Sequence, residues 1–321
     1  MLTLSTRVIT TIFLLASAVC LIPENQNRAA NKRKFIHSRP SEEGTLAFPY
    51  GIIFVEDLAY REGNKNAWTL DLVMPKTKGN QKFPALVFVH GGLWRHGDKQ
   101  HDYFRSGAID FARKGFVCIS VNYRLTQEAP FPACMEDVKC AVRWLRAHAE
   151  KYNVDPNRIG GFGDSAGAHL TCLMGMENKD SNLDKNAPWP NYSSQLNAVA
   201  AAAAPTDFSN WLGDFEGRHI LRNLLEAPGT ILEEQARKAS PINYVHQQTP
   251  PILLFHGIED QVVDISQADR FVEALKAVGA KDISYHRFEG AGHSVFKQRQ
   301  KQTHALLEAF FERTLMNPET N

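Results

Sequence analysis

The chain has 321 residues, 43% hydrophobic and 22% charged, the balance of a globular protein with enough apolar side chains for one large core. Lys and Arg number 36 against 35 Asp and Glu, a formal net charge of +1, so no field of one sign points to nucleic acid or to an anionic membrane surface. Function has to be read from local constellations of side chains.

Residues 1–18 have the three parts of a secretory signal. Arg7 supplies the positive end, Val8 to Leu15 is apolar apart from Thr10 and Thr11, and Ala16-Ser17-Ala18 is a small-x-small cleavage site. An uncleaved anchor would have only residues 8–22, short of the roughly 20 apolar residues a spanning helix needs. Cleavage near Ala18 is therefore expected, giving a secreted or periplasmic product with no stable membrane insertion. Cys20 offers lipoprotein anchoring as a minor alternative, against which stands Val19 directly before it. Residues 19–50 are expected to form a flexible linker, polar over 23–41 with Lys32-Arg33-Lys34 as solvated charge.

A folded domain is expected over residues 51–318. Residues 52–60 and 67–74 read as an antiparallel hairpin turning at Glu62-Gly63-Asn64, and residues 84–89 are a continuous apolar run, the mark of a strand covered on both faces. Further on, helix patterns at 101–113, 133–152, 166–176 and 266–278 alternate with strand patterns at 116–122, 158–162, 198–204, 251–256 and 283–288, and a closing helix covers 294–315. This rhythm predicts an α/β fold with a mostly parallel eight-stranded sheet and helices on both faces. Residues 178–196 read as a surface loop over the site, and the irregular stretch 206–249 as short helices. Cys134 and Cys140 share one helix with about 9 Å of rise between them, too far to bridge, and the cysteines read as buried free thiols.

Gly163-Asp164-Ser165-Ala166-Gly167 stands between a strand and a helix. In that context a Gly-x-Ser-x-Gly sequence makes the tight turn that exposes a nucleophilic serine, here Ser165. Upstream, His90-Gly91-Gly92-Leu93-Trp94 follows a central strand, and two adjacent glycines there let backbone N–H groups face a cleft. Together with Tyr123-Arg124-Leu125 and Phe131-Pro132-Ala133, these motifs resemble the hormone-sensitive-lipase-like esterases of the α/β-hydrolase superfamily. The tryptophan after His-Gly-Gly-x is most similar to the feruloyl and acetyl-xylan esterase-like (BD-FAE-type) branch, which also resembles kynurenine formamidases. The resemblance runs from residue 52 to 315. It implies an ester or amide hydrolase, and residues 206–249 as a small cap or lid.

The superfamily order Ser, Asp, His then places the acid after the strand 251–256. Gly257-Ile258-Glu259-Asp260-Gln261-Val262-Val263 resembles the acid loop of the family, with Asp260 as the acid, Glu259 as fallback and Asp264 nearby. Of the 12 histidines, only His286, His293 and His304 follow it; His286 falls inside a strand and His304 inside the last helix, whereas His293 lies in a glycine-rich loop. The expected triad is Ser165, Asp260 and His293, with the N–H groups of Ala166 and of two among Gly91, Gly92 and Leu93 as the oxyanion hole. His90 is expected to brace that loop, Asp164 to serve the elbow or substrate entrance, and Trp94 to line the site or to pack.

No close zinc spacing, phosphate loop or dinucleotide fingerprint is present, so no metal and no cofactor are expected. The expected partner is a small-molecule or oligosaccharide ester, with short-chain acids and possible acetyl or feruloyl esters of polysaccharide. Two rivals stay open: an arylformamidase, and a catalytically silent binding protein on the same fold. A prolyl-oligopeptidase-type peptidase would need a large propeller domain for which 321 residues leave no room.

Overall fold

The computed structural model describes residues 45–48, 51–63, 65–77, 79–176, 188–211, 215–226 and 228–317. The expected signal sequence and most of the expected linker lie outside the described residues.

The strands are β1 (Thr45–Phe48), β2 (Ile52–Ala59), β3 (Thr69–Pro75), β4 (Phe83–Val89), β5 (Val117–Val121), β6 (Val154–Asp164), β7 (Ala198–Ala202), β8 (Ile252–Gly257) and β9 (Ile283–Phe288). They form one sheet in the order β1-β2-β3-β5-β4-β6-β7-β8-β9. The first three and the β3/β5 pair are antiparallel, and from β5 to β9 every pairing is parallel. All eight expected strands are present. The ninth, β1, falls inside the stretch expected as linker and pairs with β2 through backbone bonds that leave no trace in hydrophobic periodicity.

Helices α1 (Asp102–Arg113), α2 (Ala133–Ala147), α3 (Ala166–Met176), α4 (Phe208–Trp211), α5 (Phe215–Leu225), α6 (Leu232–Ala239), α7 (Ser266–Ala277), α8 (Val295–Gln298) and α9 (Gln300–Phe311) cover the sheet. The unbroken apolar run of β4 is explained by its two neighbours. Ala85, Val87 and Val89 join the core with α2 and α3, whereas Leu86 and Phe88 join the one with α1 and α9.

Two helices depart from their patterns. The expected helix 133–152 stops at Ala147, where the His148 ring takes up the Trp144 carbonyl (2.8 Å) and packs, tilted, against Trp144 and Tyr152, so aromatic packing carries the periodicity onward after the helix has ended. The closing helix breaks at Arg299 (φ −118°, ψ 30°) into α8 and α9, and Thr303 Oγ1 bonds the Phe296 and Arg299 carbonyls across the break. Residues 178–187 of the expected surface loop lie outside the described residues. Its remainder is pinned to α2, because Arg143 and Arg146 donate to the carbonyls of Tyr192, Ser193 and Gln195. The stretch 206–249 does hold short helices, α4 to α6, whose Phe208, Leu221, Leu224, Ala236 and Ala239 are buried in the same core as α3. Cys118, Cys134, Cys140 and Cys172 are buried thiols.

Candidate active site

Ser165 stands between the end of β6 and the start of α3 with φ +49°, a left-handed conformation that a non-glycine residue adopts only under constraint. The constraint is visible: its N–H donates to the Ala202 carbonyl (2.8 Å) and its carbonyl accepts from His169 (3.0 Å). The turn is also packed against its neighbour strand so closely that a Cβ on Gly167 would overlap the Val89 carbonyl oxygen. Gly167→Ala is therefore expected to destabilise the fold by about 3 kcal/mol or more, since backbone and not a flexible side chain must move. An unchanged urea midpoint would contradict that close approach.

His293 comes from the loop after β9. Its Nε2 lies 2.9 Å from Ser165 Oγ, and its Nδ1 lies 2.9 Å and 3.2 Å from Oδ2 and Oδ1 of Asp260. A carboxylate only accepts, so Nδ1 carries the proton and Nε2 is left with the lone pair that receives the serine hydroxyl. Asp260 Oδ1 also accepts the N–H groups of Val262 and Val263, each at 2.9 Å. Burial alone would raise this carboxyl. Hydrogen bonds from His256 and His293, the charge of His293 and the Val263 N–H outweigh burial and hold it well below the usual carboxylate range. The three expected residues are thus brought into one hydrogen-bonded line.

The other acids near Asp260 have different partners. Glu259 Oε2 accepts the Ala291 N–H (2.9 Å) and steadies the histidine loop, and Asp264 Oδ1 accepts the Ser266 N–H (2.9 Å) at the start of α7. His286 pairs its ring with Phe255 and His304 with Phe111, so neither joins Ser165.

In the loop after β4, Gly92, Leu93 and Trp94 have φ of +119°, +55° and +56°. The Gly92 carbonyl accepts from Arg95 (3.0 Å) and His96 (2.9 Å), and a Cβ on Gly92 would overlap the His96 carbonyl, so this turn requires glycine. Asp164 is raised by burial and lowered, in smaller measure, by the charges of His293 and His101 and by a hydrogen bond from the Gly91 N–H; its Oδ1 is buried with no hydrogen-bond partner. Ala166, as the first residue of α3, has an N–H with no partner inside the helix.

Trp94 packs and does not line an open surface. Its side chain is buried at 1% exposure, and its indole N–H donates to His169 Nδ1 at 3.2 Å. Nδ1 being the acceptor, His169 Nε2 carries the proton and donates to the Ala239 carbonyl at 2.7 Å. One neutral imidazole thus ties the glycine loop, the nucleophile helix and the end of α6 together. His90 acts as a brace, stacked on Tyr123 (4.3 Å between ring centres) with Nδ1 2.8 Å from the Gly91 carbonyl, while Tyr123 Oη donates to the His90 carbonyl (2.8 Å). Burial pushes both histidines down to about 4.

Three supporting residues escape sequence reasoning. His256 is buried with Nε2 2.8 Å from the Val263 carbonyl and 3.3 Å from Asp260 Oδ2, yet in sequence it is only the end of an apolar strand. Lys99 is 2% exposed and bonds Asp57 (2.7 Å) and Asp71 (3.3 Å), anchoring the far end of the glycine loop to the β2/β3 hairpin. Its partners are too distant along the chain to be inferred. His169 did carry a signal, lying one helical turn after Ser165 on the same face.

A nucleophile elbow after a central parallel strand, with a histidine and a carboxylate supplied by later strand ends, defines an α/β-hydrolase. The chain belongs to the BD-FAE family, whose model matches residues 70–275. That match includes the glycine loop, Ser165 and Asp260 but stops short of His293, so the histidine rests on the geometry alone. Esterase LipC of Mycobacterium tuberculosis (strain ATCC 25618 / H37Rv) is 32% identical over 238 residues, 72% of this chain and 58% of that protein. The chain spans somewhat over half the length of the first curated relatives it matches. Among solved structures, a truncated carbohydrate esterase from gut microbiota shares the fold at TM-score 0.71 and 24% identity, over 85% of this chain and 99% of that one. The native thermophilic esterase Est2 of Thermogutta terrifontis aligns at TM-score 0.68 and 28% identity, over 83% and 95%.

Proposed function

We propose that the protein is an exported serine carboxylesterase for short-chain esters, with acetyl or feruloyl esters of polysaccharide as its substrate class. The observation that carries the reading is the Ser165–His293–Asp260 line, at 2.9 Å and 2.9 Å, held at the turn between β6 and α3. Membership of the BD-FAE family and likeness to named esterases support it, and the pattern of residues 1–18 supports export.

In this mechanism His293 Nε2 takes the Ser165 proton as Oγ bonds to the ester carbonyl carbon. Negative charge collects on the former carbonyl oxygen. The donors in this reading are the N–H of Ala166 and those of two among Gly91, Gly92 and Leu93. The tetrahedral adduct collapses, the C–O bond to the alcohol breaks, and His293 returns its proton to the departing oxygen. Water then attacks the acyl-enzyme with His293 again as base, releasing the acid and Ser165. Asp260, kept ionised, fixes the imidazole tautomer and stabilises the imidazolium at each proton transfer.

The test is hydrolysis of p-nitrophenyl esters from acetate to decanoate, then of acetylated and feruloylated oligosaccharides. Acetate or propionate is expected to exceed decanoate in kcat/KM by about tenfold or more. A protein inert on every ester but active on an N-formyl aromatic amine would be an arylformamidase; one inert on both would be a silent binding protein.

A further inference from the structure

A cavity of about 300 Å³ adjoins the glycine loop, and none of the triad residues lines it. Its wall is formed by His90, Asp98 and Tyr123, with Asn66 and Lys65 from the β2/β3 hairpin side and Leu125 and Glu128 from the loop after β5. Its volume is at the lower end of the range of small-molecule sites.

The chemistry of the wall is specific. His90 Nδ1 faces the Gly91 carbonyl, which can only accept, so Nδ1 carries the proton and Nε2 holds a lone pair with no protein donor among the described residues. The imidazole stays neutral above about pH 4 because it is buried. Asp98 bonds the Gln100 N–H (2.8 Å) and Asn122 Nδ2 (3.1 Å) and retains further lone pairs, and the Glu128 carboxylate adds acceptors at the rim. Lys65 lines the same wall, its ammonium 5.1 Å from the centre of the Trp68 ring. Two carboxylates against one ammonium disfavour an anion. The neutral acceptor at His90 calls for a hydroxyl, and the Leu125 side chain offers apolar surface to a sugar's C–H face.

We propose that this cavity is a subsite for one neutral sugar unit, the alcohol side of a carbohydrate ester, held next to the oxyanion loop that shares His90 and Gly97 with it. The proposal rests on the polysaccharide-ester reading, and its test separates the two. Leu125→Trp fills the cavity from a half-buried position outside the catalytic line, and Leu125→Ala enlarges it.

With acetylated xylo-oligosaccharide, Leu125→Trp is expected to raise KM about tenfold or more, while kcat/KM on p-nitrophenyl acetate stays within about twofold of wild type and Leu125→Ala retains sugar-ester turnover. Equal loss on both substrates, or no loss on either, would overturn the subsite. If wild type cleaves p-nitrophenyl acetate but no sugar ester, the polysaccharide reading fails. The cavity is then judged by titrating Ser165→Ala with xylobiose, cellobiose and mannobiose to about 50 mM by heteronuclear NMR. Saturable shifts that vanish in Ser165→Ala/Leu125→Trp support a sugar site; none with any disaccharide overturns it.

Discussion

Ser165→Ala is expected to lower kcat on p-nitrophenyl acetate by about 10⁴-fold or more, with the thermal midpoint unchanged within about 2 °C. The serine makes its structural bonds through its backbone, and the side chain's own partner is His293 Nε2, so alanine removes the nucleophile while leaving the elbow intact. Asp260→Asn is expected to cost about 10³- to 10⁴-fold on the same assay. An amide turned with its NH₂ toward Nδ1 would favour the tautomer with Nε2 protonated, and the base would then face Ser165 without a lone pair. If Ser165→Ala retained wild-type activity, the elbow would not be the catalytic centre, however well its geometry suits the role.

Acid is expected to unfold the protein from above the usual carboxylate range. His90 and His169 are buried as neutral rings and titrate at about 4 in the folded state, against 6.5 ordinarily. Between these values the unfolded chain binds protons that the folded chain does not, so stability is complete above about pH 6.5 and falls as pH drops toward 4. Each ring contributes up to about 3 kcal/mol to that loss. His286, also lowered by burial, acts in the same direction. Asp71 and Asp164, raised by burial, are protonated first in the folded state as pH falls and offset part of it.

Asp260 acts only at lower pH, because a depressed carboxyl loses its contribution below the ordinary carboxylate value. The net loss expected between pH 7.5 and 4.5 is about 3 kcal/mol, a large share of a typical domain's stability. Urea midpoints at the two pH values measure it. His169→Gln should be less stable at pH 7.5 yet lose less on acidification, since the glutamine cannot titrate. Equal midpoints at pH 7.5 and 4.5 would show that the two rings are not held neutral.

Much of the active site was legible because its parts are local. A strand-turn-helix with glycines around Ser165, a glycine pair after β4, an aspartate just beyond β8 and a histidine in the loop after β9 are short sequence features, each set by what one turn needs. Parallel order followed from the alternation of strand and helix patterns, since connections in such sheets are short and of one hand. Strand β1 was hidden because its evidence is its backbone pairing with β2. Helices α2 and α9 differed from their patterns because aromatic packing at His148 and a hydrogen-bonded break at Arg299 override periodicity.

Local sequence was enough to single out Ser165, Asp260 and His293 as the candidate triad, and to place glycine where backbone must pass close to backbone. How these residues are held depended on packing between distant elements. It buried Trp94 against His169, placed His256 beneath Asp260 and drew Lys99 between Asp57 and Asp71. Each of these contacts joins residues from different elements, and the low-dielectric interior that gives a buried hydrogen bond or charge its strength exists only after those elements have packed.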